Sequence, residues 1–324
     1  MSGVARVSGV AGLPSVHRRP GLPAAVRIWE VGPRDGLQHE AAIVPTPVKA
    51  EFVARLLGAG LGTVEATSFV RPEWVPQLAD AERLLELVGQ PDGARLPVLV
   101  PNRAGLERAL GCGVRDVCVF ASATDSFAKR NLNRTRSEAL DMFDPVVRDA
   151  KEGGLGVRAY VSMCFGDPWE GDVAASDVVS VCLRLLEMGC DEISLGDTVG
   201  VATTGQVYDL VGALDEAGIT AGALAVHFHD TYGQALANSL AALECGITTL
   251  DAAAGGLGGC PFAQSATGNL ATEDLCWALA GLGVHTGVDI EGLVETSLWM
   301  EAQLGRPSPS KVVRALGRTR EGAT

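Results

Sequence analysis

Ala223-Leu-Ala-Val-His-Phe-His229 is an apolar run that ends in two histidines one residue apart. In a β-strand, successive side chains point to opposite faces, so positions i and i+2 share a face. Read as a strand, 223–229 sends both imidazoles to one side and Phe228 to the other. Neutral imidazole is the commonest protein ligand for a divalent metal, so the pair is a candidate half of a metal site. Whether the strand supports that reading depends on what surrounds it.

Outward from this run, short strand-like segments alternate with longer helical stretches along most of the chain. Strands are expected at 26–31, 63–67, 96–100, 115–120, 157–163, 191–195, 223–229 and 248–253. Helical patterns fall near 48–60, 76–89, 103–112, 136–152, 174–189, 204–218 and 231–245. Several of these end in glycine, as at Met188-Gly189 and Cys245-Gly246, which suits a helix terminus. Eight strand–helix units without a change of composition predict an α/β fold of the (β/α)₈ TIM-barrel type, spanning 26–304. Extra C-terminal helices at 271–282 and 290–304 would cap or flank it. A doubly wound open sheet is the alternative, but the first strand lacks the Gly-x-Gly-x-x-Gly turn. Residues 1–25 are expected to be a disordered N-terminal arm, and 305–324, rich in Arg, Gly, Pro and Ser, a flexible tail.

Of the 324 residues, 20% are charged, and the formal net charge is −13. A field of that sign repels nucleic acid and acidic membrane surfaces, so neither is an expected partner. No run approaches the roughly 20 consecutive apolar residues that a membrane span requires. The eight cysteines are scattered without a Cys-x-x-Cys, which is neither a zinc module nor a disulfide framework. A cytoplasmic location is therefore expected, or the mitochondrial matrix if residues 1–25 act as a transit peptide.

In (β/α)₈ barrels the active site forms at the C-terminal ends of the strands. Conspicuous polar residues fall there repeatedly. Arg34 and Asp35 follow the first strand, with Gln38 close behind. Glu65 lies in the second, Ser194 and Asp197 close the sixth, and His227 and His229 end the seventh. After the eighth strand come Gly255-Gly-Leu-Gly-Gly-Cys260 and then Asn269. Asp35 with the two imidazoles makes an open site for a divalent cation, to which Asn269 offers a fourth oxygen or else caps the following helix. A glutamate inside a strand needs a partner, and Arg34 is the obvious one for Glu65. Lys129 and Arg130, after the fourth strand, are the cations best placed for a phosphate, or else a solvated cluster.

Five blocks carry a family resemblance: Val31-Gly-Pro-Arg-Asp-Gly-Leu-Gln38, Val64-Glu-Ala-Thr-Ser-Phe-Val70, Glu192-Ile-Ser-Leu-Gly-Asp-Thr198, Val226-His-Phe-His-Asp-Thr-Tyr-Gly-Gln-Ala-Leu-Ala-Asn238 and Gly256-Leu-Gly-Gly-Cys-Pro261. Together they resemble hydroxymethylglutaryl-CoA lyase, over about residues 26–315. The resemblance implies retro-Claisen cleavage of 3-hydroxy-3-methylglutaryl-CoA to acetyl-CoA and acetoacetate, with Mg²⁺ or Mn²⁺ as cofactor, an acyl-CoA as substrate and a homodimeric state. It implies Asp35, His227, His229 and Asn269 as ligands of the cation, and Arg34 on the enolate oxygen, oriented by Glu65. Cys260 would supply the proton that quenches the enolate, and Asp197 would exchange one with the C3 hydroxyl. Gln38, Ser194, Lys129 and Arg130 would contact substrate. The segment Met163-Cys-Phe-Gly-Asp-Pro-Trp-Glu-Gly171 departs from the family, which usually has Cys-Pro-Tyr at 167–169. Phe228 and Ala252-Ala-Ala-Gly255 also depart. These differences leave a lyase for another 3-hydroxy-3-substituted glutaryl-CoA, or a non-catalytic barrel, as alternatives.

Overall fold

Eight short strands alternate with helices from the first described residues to the last. The computed structural model describes residues 14–38, 40–259 and 268–321. In chain order the elements are β1 (Arg27–Glu30), α1 (Thr46–Gly58), β2 (Thr67–Ser68), α2 (Ala81–Val88), β3 (Val98–Leu99) and α3 (Arg103–Gly111). They continue with β4 (Asp116–Ser122), α4 (Asp125–Leu132), α5 (Arg136–Glu152), β5 (Gly156–Ser162), α6 (Ala175–Met188), β6 (Glu192–Asp197) and α7 (Thr204–Glu216). The last are β7 (Leu224–Phe228), α8 (Ala235–Glu244), β8 (Thr249–Ala252), α9 (Thr272–Leu282), α10 (Ile290–Leu304) and α11 (Lys311–Glu321).

All strands are parallel, in the order β1-β8-β7-β6-β5-β4-β3-β2. The sheet curls through 236°, and its edges lie 11 Å apart. Across that gap, Glu30 N–H donates to the Thr63 carbonyl (3.1 Å) and Glu65 N–H to the Glu30 carbonyl (2.8 Å). What stands is thus an α/β fold with an eight-stranded parallel sheet and flanking helices.

Strand alternation divides the core in two. One set of side chains (Ile193, Leu195, Val226, Leu250) packs outward against the helices in the main hydrophobic cluster. Burying each is worth about 1.5–3 kcal/mol. The other set faces inward and is polar at several levels, with Arg158, Tyr160, Ser194, His227 and Asp251 all buried. A charged interior is stable only if paired. Arg158 accordingly reaches Asp251 (Nη2–Oδ1, 2.6 Å) and Glu192 (Nε–Oε1, 2.9 Å), with its guanidinium 4.1 Å from the centre of the Trp29 ring.

Two expectations about the ends need correction. The segment 305–324 is not a loose tail: its described part contains α11, whose Val313 is fully buried. Asp274 of α9 caps this helix, accepting from the Val312 N–H (2.8 Å) and the Ser310 hydroxyl (2.7 Å). Of the N-terminal arm, residues 1–13 lie outside the described residues. Residues 14–25 run against α9, where His17 N–H donates to the Gly281 carbonyl at 2.8 Å. Among the described residues, no helix is long and apolar enough to cross a membrane.

Candidate metal centre and active site

The first site residues are presented by a tight turn directly after β1. Residues Gly32–Gly36 form a π-helical turn in which the Val31 carbonyl accepts from the N–H groups of Arg34, Asp35 and Gly36. The sequence Gly-Pro-Arg-Asp-Gly suits this geometry, because Pro33 sits where a helical turn leaves its N–H unused. At Gly36 a Cβ would approach the Leu257 side chain to 2.8 Å, so only glycine lets the turn sit against the loop after β8. The turn sends Arg34 and Asp35 over the C-terminal end of the sheet, toward β7.

There Asp35 meets the two histidines. His227 Nε2 and His229 Nε2 are 3.2 Å apart, and Asp35 Oδ2 lies 4.0 and 3.9 Å from them. Ligand atoms of these three residues all lie within 4.8 Å of one another. Donors roughly 2.1 Å from a shared cation are separated by about 3.0–4.2 Å, so the spacing fits a single ion. The protonation pattern fits as well. His227 Nδ1 is 3.2 Å from Asp251 Oδ2, a carboxylate that is fully buried. Burial alone would raise the Asp251 pKa, but Arg158 and His227 outweigh it and hold it below the usual carboxylate range. A charged Asp251 keeps the His227 proton on Nδ1 and leaves the Nε2 lone pair facing His229. Burial likewise opposes ionisation of Asp35, but Arg34 and the histidines override it and keep that group a carboxylate. Asp35, His227 and His229 form a divalent-metal site.

Arg34 and Glu65 pair as expected. Arg34 Nε donates to Glu65 Oε1 (2.5 Å), and its Nη1 to Asp35 Oδ1 (2.8 Å). The other Glu65 oxygen accepts from Trp29 Nε1 (3.0 Å) and from the Tyr160 hydroxyl. The Arg34 guanidinium stands over the Tyr160 ring, 5.2 Å from its centre. Arg34, Asp35, Gln38, Tyr160 and both histidines line a cavity of about 390 Å³. Gln38 reaches it through Asp35, donating to Oδ1 at 3.0 Å. Asn269 donates from Nδ2 to Asp35 Oδ2 (2.8 Å) and to the Leu257 carbonyl (3.0 Å). Its side chain therefore joins the metal site to the glycine loop. Gly258, with φ +122°, leaves room for it: a Cβ there would come within 2.7 Å of Asn269 Nδ2.

Two residues expected at the cavity are elsewhere. Asp197 is turned away, with its carboxylate accepting from the amides of Val201 (2.9 Å) and Ala202 (3.0 Å). The reason is parity, since Ser194 and Gly196 point inward on β6 and Asp197 points to the opposite face. Burial raises its pKa to about 6, and these amide bonds partly offset the rise. Ser194 faces inward but lies deeper, donating to Asp251 Oδ2 at 3.0 Å, so it supports Asp251. Lys129 and Arg130 are exposed on α4, with Arg130 stacked on Trp169. Cys260 lies outside the described residues.

The base of the glycine loop is held by two buried glutamates. Glu30 Oε1 accepts from the amides of Gly32 and Ala254, both at 2.8 Å, and Glu273 accepts from the Gly255 amide at 2.9 Å. Burial pushes their carboxyls up to about 7 and about 8 respectively.

Tyr160 and Asp251 are site residues that sequence reading missed, and of the two Asp251 had a signal. Its signal was an acidic residue inside a strand, directly paired with His227 in the β7–β8 register. Asp251→Asn would place an amide beside Nδ1 and remove the charge that holds the proton there. We expect Mn²⁺ affinity to fall by about 10–100-fold, the usual effect of losing such a partner. Calorimetric titration of the metal-free variant is the measurement, and unchanged affinity would show that Asp251 does not set the tautomer.

Residues 25–299 match the HMGL-like family. The chain belongs to the hydroxymethylglutaryl-CoA lyase family. It is 52% identical over 298 residues to the mitochondrial hydroxymethylglutaryl-CoA lyase of Arabidopsis thaliana, covering 92% of this chain and 64% of that one. With the Bos taurus enzyme it shares 50% identity over 295 residues, covering 91% and 90%. Among solved structures, an HMG-CoA lyase of Acinetobacter baumannii in complex with coenzyme A and 3-methylmalate superimposes with TM-score 0.86 at 34% identity, over 92% of this chain and 97% of that one. The cytoplasmic location expected from composition is corrected here. The finding against it is that eight relatives, from plant, bird and mammals, are named as mitochondrial proteins.

Proposed function

We propose that this chain is a divalent-cation-dependent carbon–carbon lyase that cleaves 3-hydroxy-3-methylglutaryl-CoA to acetyl-CoA and acetoacetate. The observation that carries the reading is the Asp35–His227–His229 triad on the cavity wall, with the Arg34 guanidinium bonded to one of its members. The acyl-CoA substrate is supported by the Acinetobacter baumannii relative, whose structure contains coenzyme A. A bound cation polarises oxygens of the substrate and makes a hydroxyl easier to deprotonate.

The chain's own residues supply the remaining chemistry. Transfer of the C3 hydroxyl proton to solvent water in the cavity drives scission of C2–C3, and the same solvent later restores the proton that Cys260 gives up. C3 becomes the ketone of acetoacetate, and the bonding electrons pass to the thioester as an enolate. Arg34, fixed by Glu65, supplies positive charge to the enolate oxygen. Cys260, at the end of the glycine loop, gives the enolate carbon its proton to complete acetyl-CoA. Asn269 holds Asp35 in place, and Lys129 and Arg130, exposed on α4 next to the cavity-lining Asn131 and Leu132, meet the CoA phosphates. The hydrogen bonds linking Glu30 to Thr63 and Glu65 support closure of the sheet into a (β/α)₈ barrel.

The second reading is a lyase for a bulkier 3-hydroxy-3-substituted glutaryl-CoA. It is favoured by the Asp167-Pro-Trp169 departure beside a cavity with an apolar wall that includes Phe120, Phe127 and Leu132. One assay separates the two. Purified protein with Mg²⁺ or Mn²⁺ is expected to release acetoacetate and acetyl-CoA from 3-hydroxy-3-methylglutaryl-CoA. The Cys260→Ala protein should lose turnover by roughly 10²–10⁴-fold, the scale of a general acid. Cleavage of the longer-branched analogue alone would establish the second reading, and no cleavage of either would refute both.

A further inference from the structure

The turn that departs from the family is tied to α4. Its ends are joined by reciprocal backbone hydrogen bonds, Asp167 N–H to the Gly171 carbonyl (2.9 Å) and Gly171 N–H to that of Asp167 (2.8 Å). Asp167 Oδ1 accepts from the amides of Trp169 (2.7 Å) and Glu170 (3.0 Å), which makes the turn rigid. Its Oδ2 reaches out of the turn, accepting from the hydroxyls of Thr124 (2.6 Å) and Ser126 (2.8 Å) at the start of α4. Glu170 Oε1 accepts from the Ser126 amide at 2.6 Å. At the other end of the helix, the Arg130 guanidinium lies 4.2 Å from the centre of the Trp169 ring. Both ends of α4 are thus held by one five-residue turn.

This matters because α4 is part of the cavity wall. Phe127, Asn131 and Leu132 line the cavity. The helix has only eight residues, too few to hold itself in water. Phe127 belongs to a small cluster with Met163 and Val199, separate from the main core. Met163 itself has φ +61°, a conformation unfavourable for a bulky side chain and typical of functional sites. Trp169 is 39% exposed, and its ring carries the guanidinium of Arg130, the residue before the cavity-lining Asn131.

We propose that the 167–171 turn is a clamp that positions α4 as a wall of the acyl-CoA site, with Asp167 and Trp169 as positioning residues for substrate binding. The clamp acts through the helix and touches neither the metal triad nor the reacting atoms. This proposal rests on the acyl-CoA reading above for its second half only. In wild-type, Asp167→Ala and Trp169→Ala proteins, hydrogen exchange is followed at amides 125–133 without metal or ligand. Binding of free coenzyme A and of Mn²⁺ is titrated, and KM and kcat are measured with 3-hydroxy-3-methylglutaryl-CoA. We expect exchange at 125–133 to quicken by about tenfold or more in both variants while the β-strand amides keep their protection. Coenzyme A affinity should weaken and KM rise by about tenfold, with kcat and Mn²⁺ affinity changed less than about twofold. Unchanged exchange in both variants would overturn the clamp. Faster exchange with unchanged coenzyme A affinity and KM would overturn its role in binding. Wild-type protein that binds no coenzyme A would refute the acyl-CoA reading and that role with it, while the exchange result would still decide whether the turn holds α4.

Discussion

His229→Ala protein should bind Mn²⁺ at least about 100-fold more weakly than the parent and turn over roughly 10³-fold more slowly. The first figure follows from its place in the triad. Losing an orienting partner of a ligand costs about 10–100-fold, and His229 offers its own nitrogen, 3.9 Å from Asp35 Oδ2. The second follows from the several kcal/mol that a cation contributes to charge stabilisation, each 1.36 kcal/mol being tenfold in rate. The fold should tolerate the change. His229 directly follows β7 beside the cavity, and its ring packs at 5.2 Å from that of His227. The metal-free variant should therefore melt within about 2 °C of the parent, which corresponds to roughly 1 kcal/mol for a domain of this size. The parent should also gain about 2.7 kcal/mol of stability at a metal concentration of 100 Kd, a gain the variant loses. Calorimetric titration and thermal melts with and without Mn²⁺ measure both. Full metal affinity in the variant would remove His229 from the ligand set.

The histidine pair was legible because strand parity is local: β7 ends at Phe228, and His229 directly after it stays paired through a bridge to Asn269, so two residues apart still means the same face. Arg34 and Asp35 were legible for a similar reason, since they follow β1 on the same rim. Asp197 closes β6 on that rim, but it is one residue from Gly196 and its carboxylate bonds the Val201 and Ala202 amides on the other face. Asp251 and Tyr160 needed information that no single segment holds. Asp251 matters through its register with His227, and Tyr160 through Glu65, which precedes β2 far away in the chain. The helices α4 and α11 escaped for a related reason. Thr124, Ser126 and Arg130 of the α4 segment are tied to residues 167–170, and the α11 cap comes from Asp274 on α9. Periodicity reports what a segment does alone. It does not report stabilisation supplied from elsewhere in the chain.

The Arg34–Glu65 pair should separate catalysis from stability. Arg34→Gln is expected to lower turnover by about 10²–10³-fold, the effect of removing one group aimed at a developing oxyanion. It should also destabilise the fold by about 3–5 kcal/mol, because Glu65 would be left fully buried without its charge partner. Trp29 and Tyr160 would still donate to one Glu65 oxygen, but neither carries a charge to replace the guanidinium. Neutralising the orphan reverses one loss and not the other. In the double variant Arg34→Gln/Glu65→Gln, most of the stability should return, while turnover stays as low as in the single Arg34 variant. Glu65→Gln alone should keep the positive charge but loosen its aim, giving a smaller fall in turnover. Denaturant titrations of the metal-free proteins and kcat/KM measured with saturating Mn²⁺ provide the two axes. If the double variant recovers turnover together with stability, Arg34 serves the fold and the enolate must be stabilised by another group.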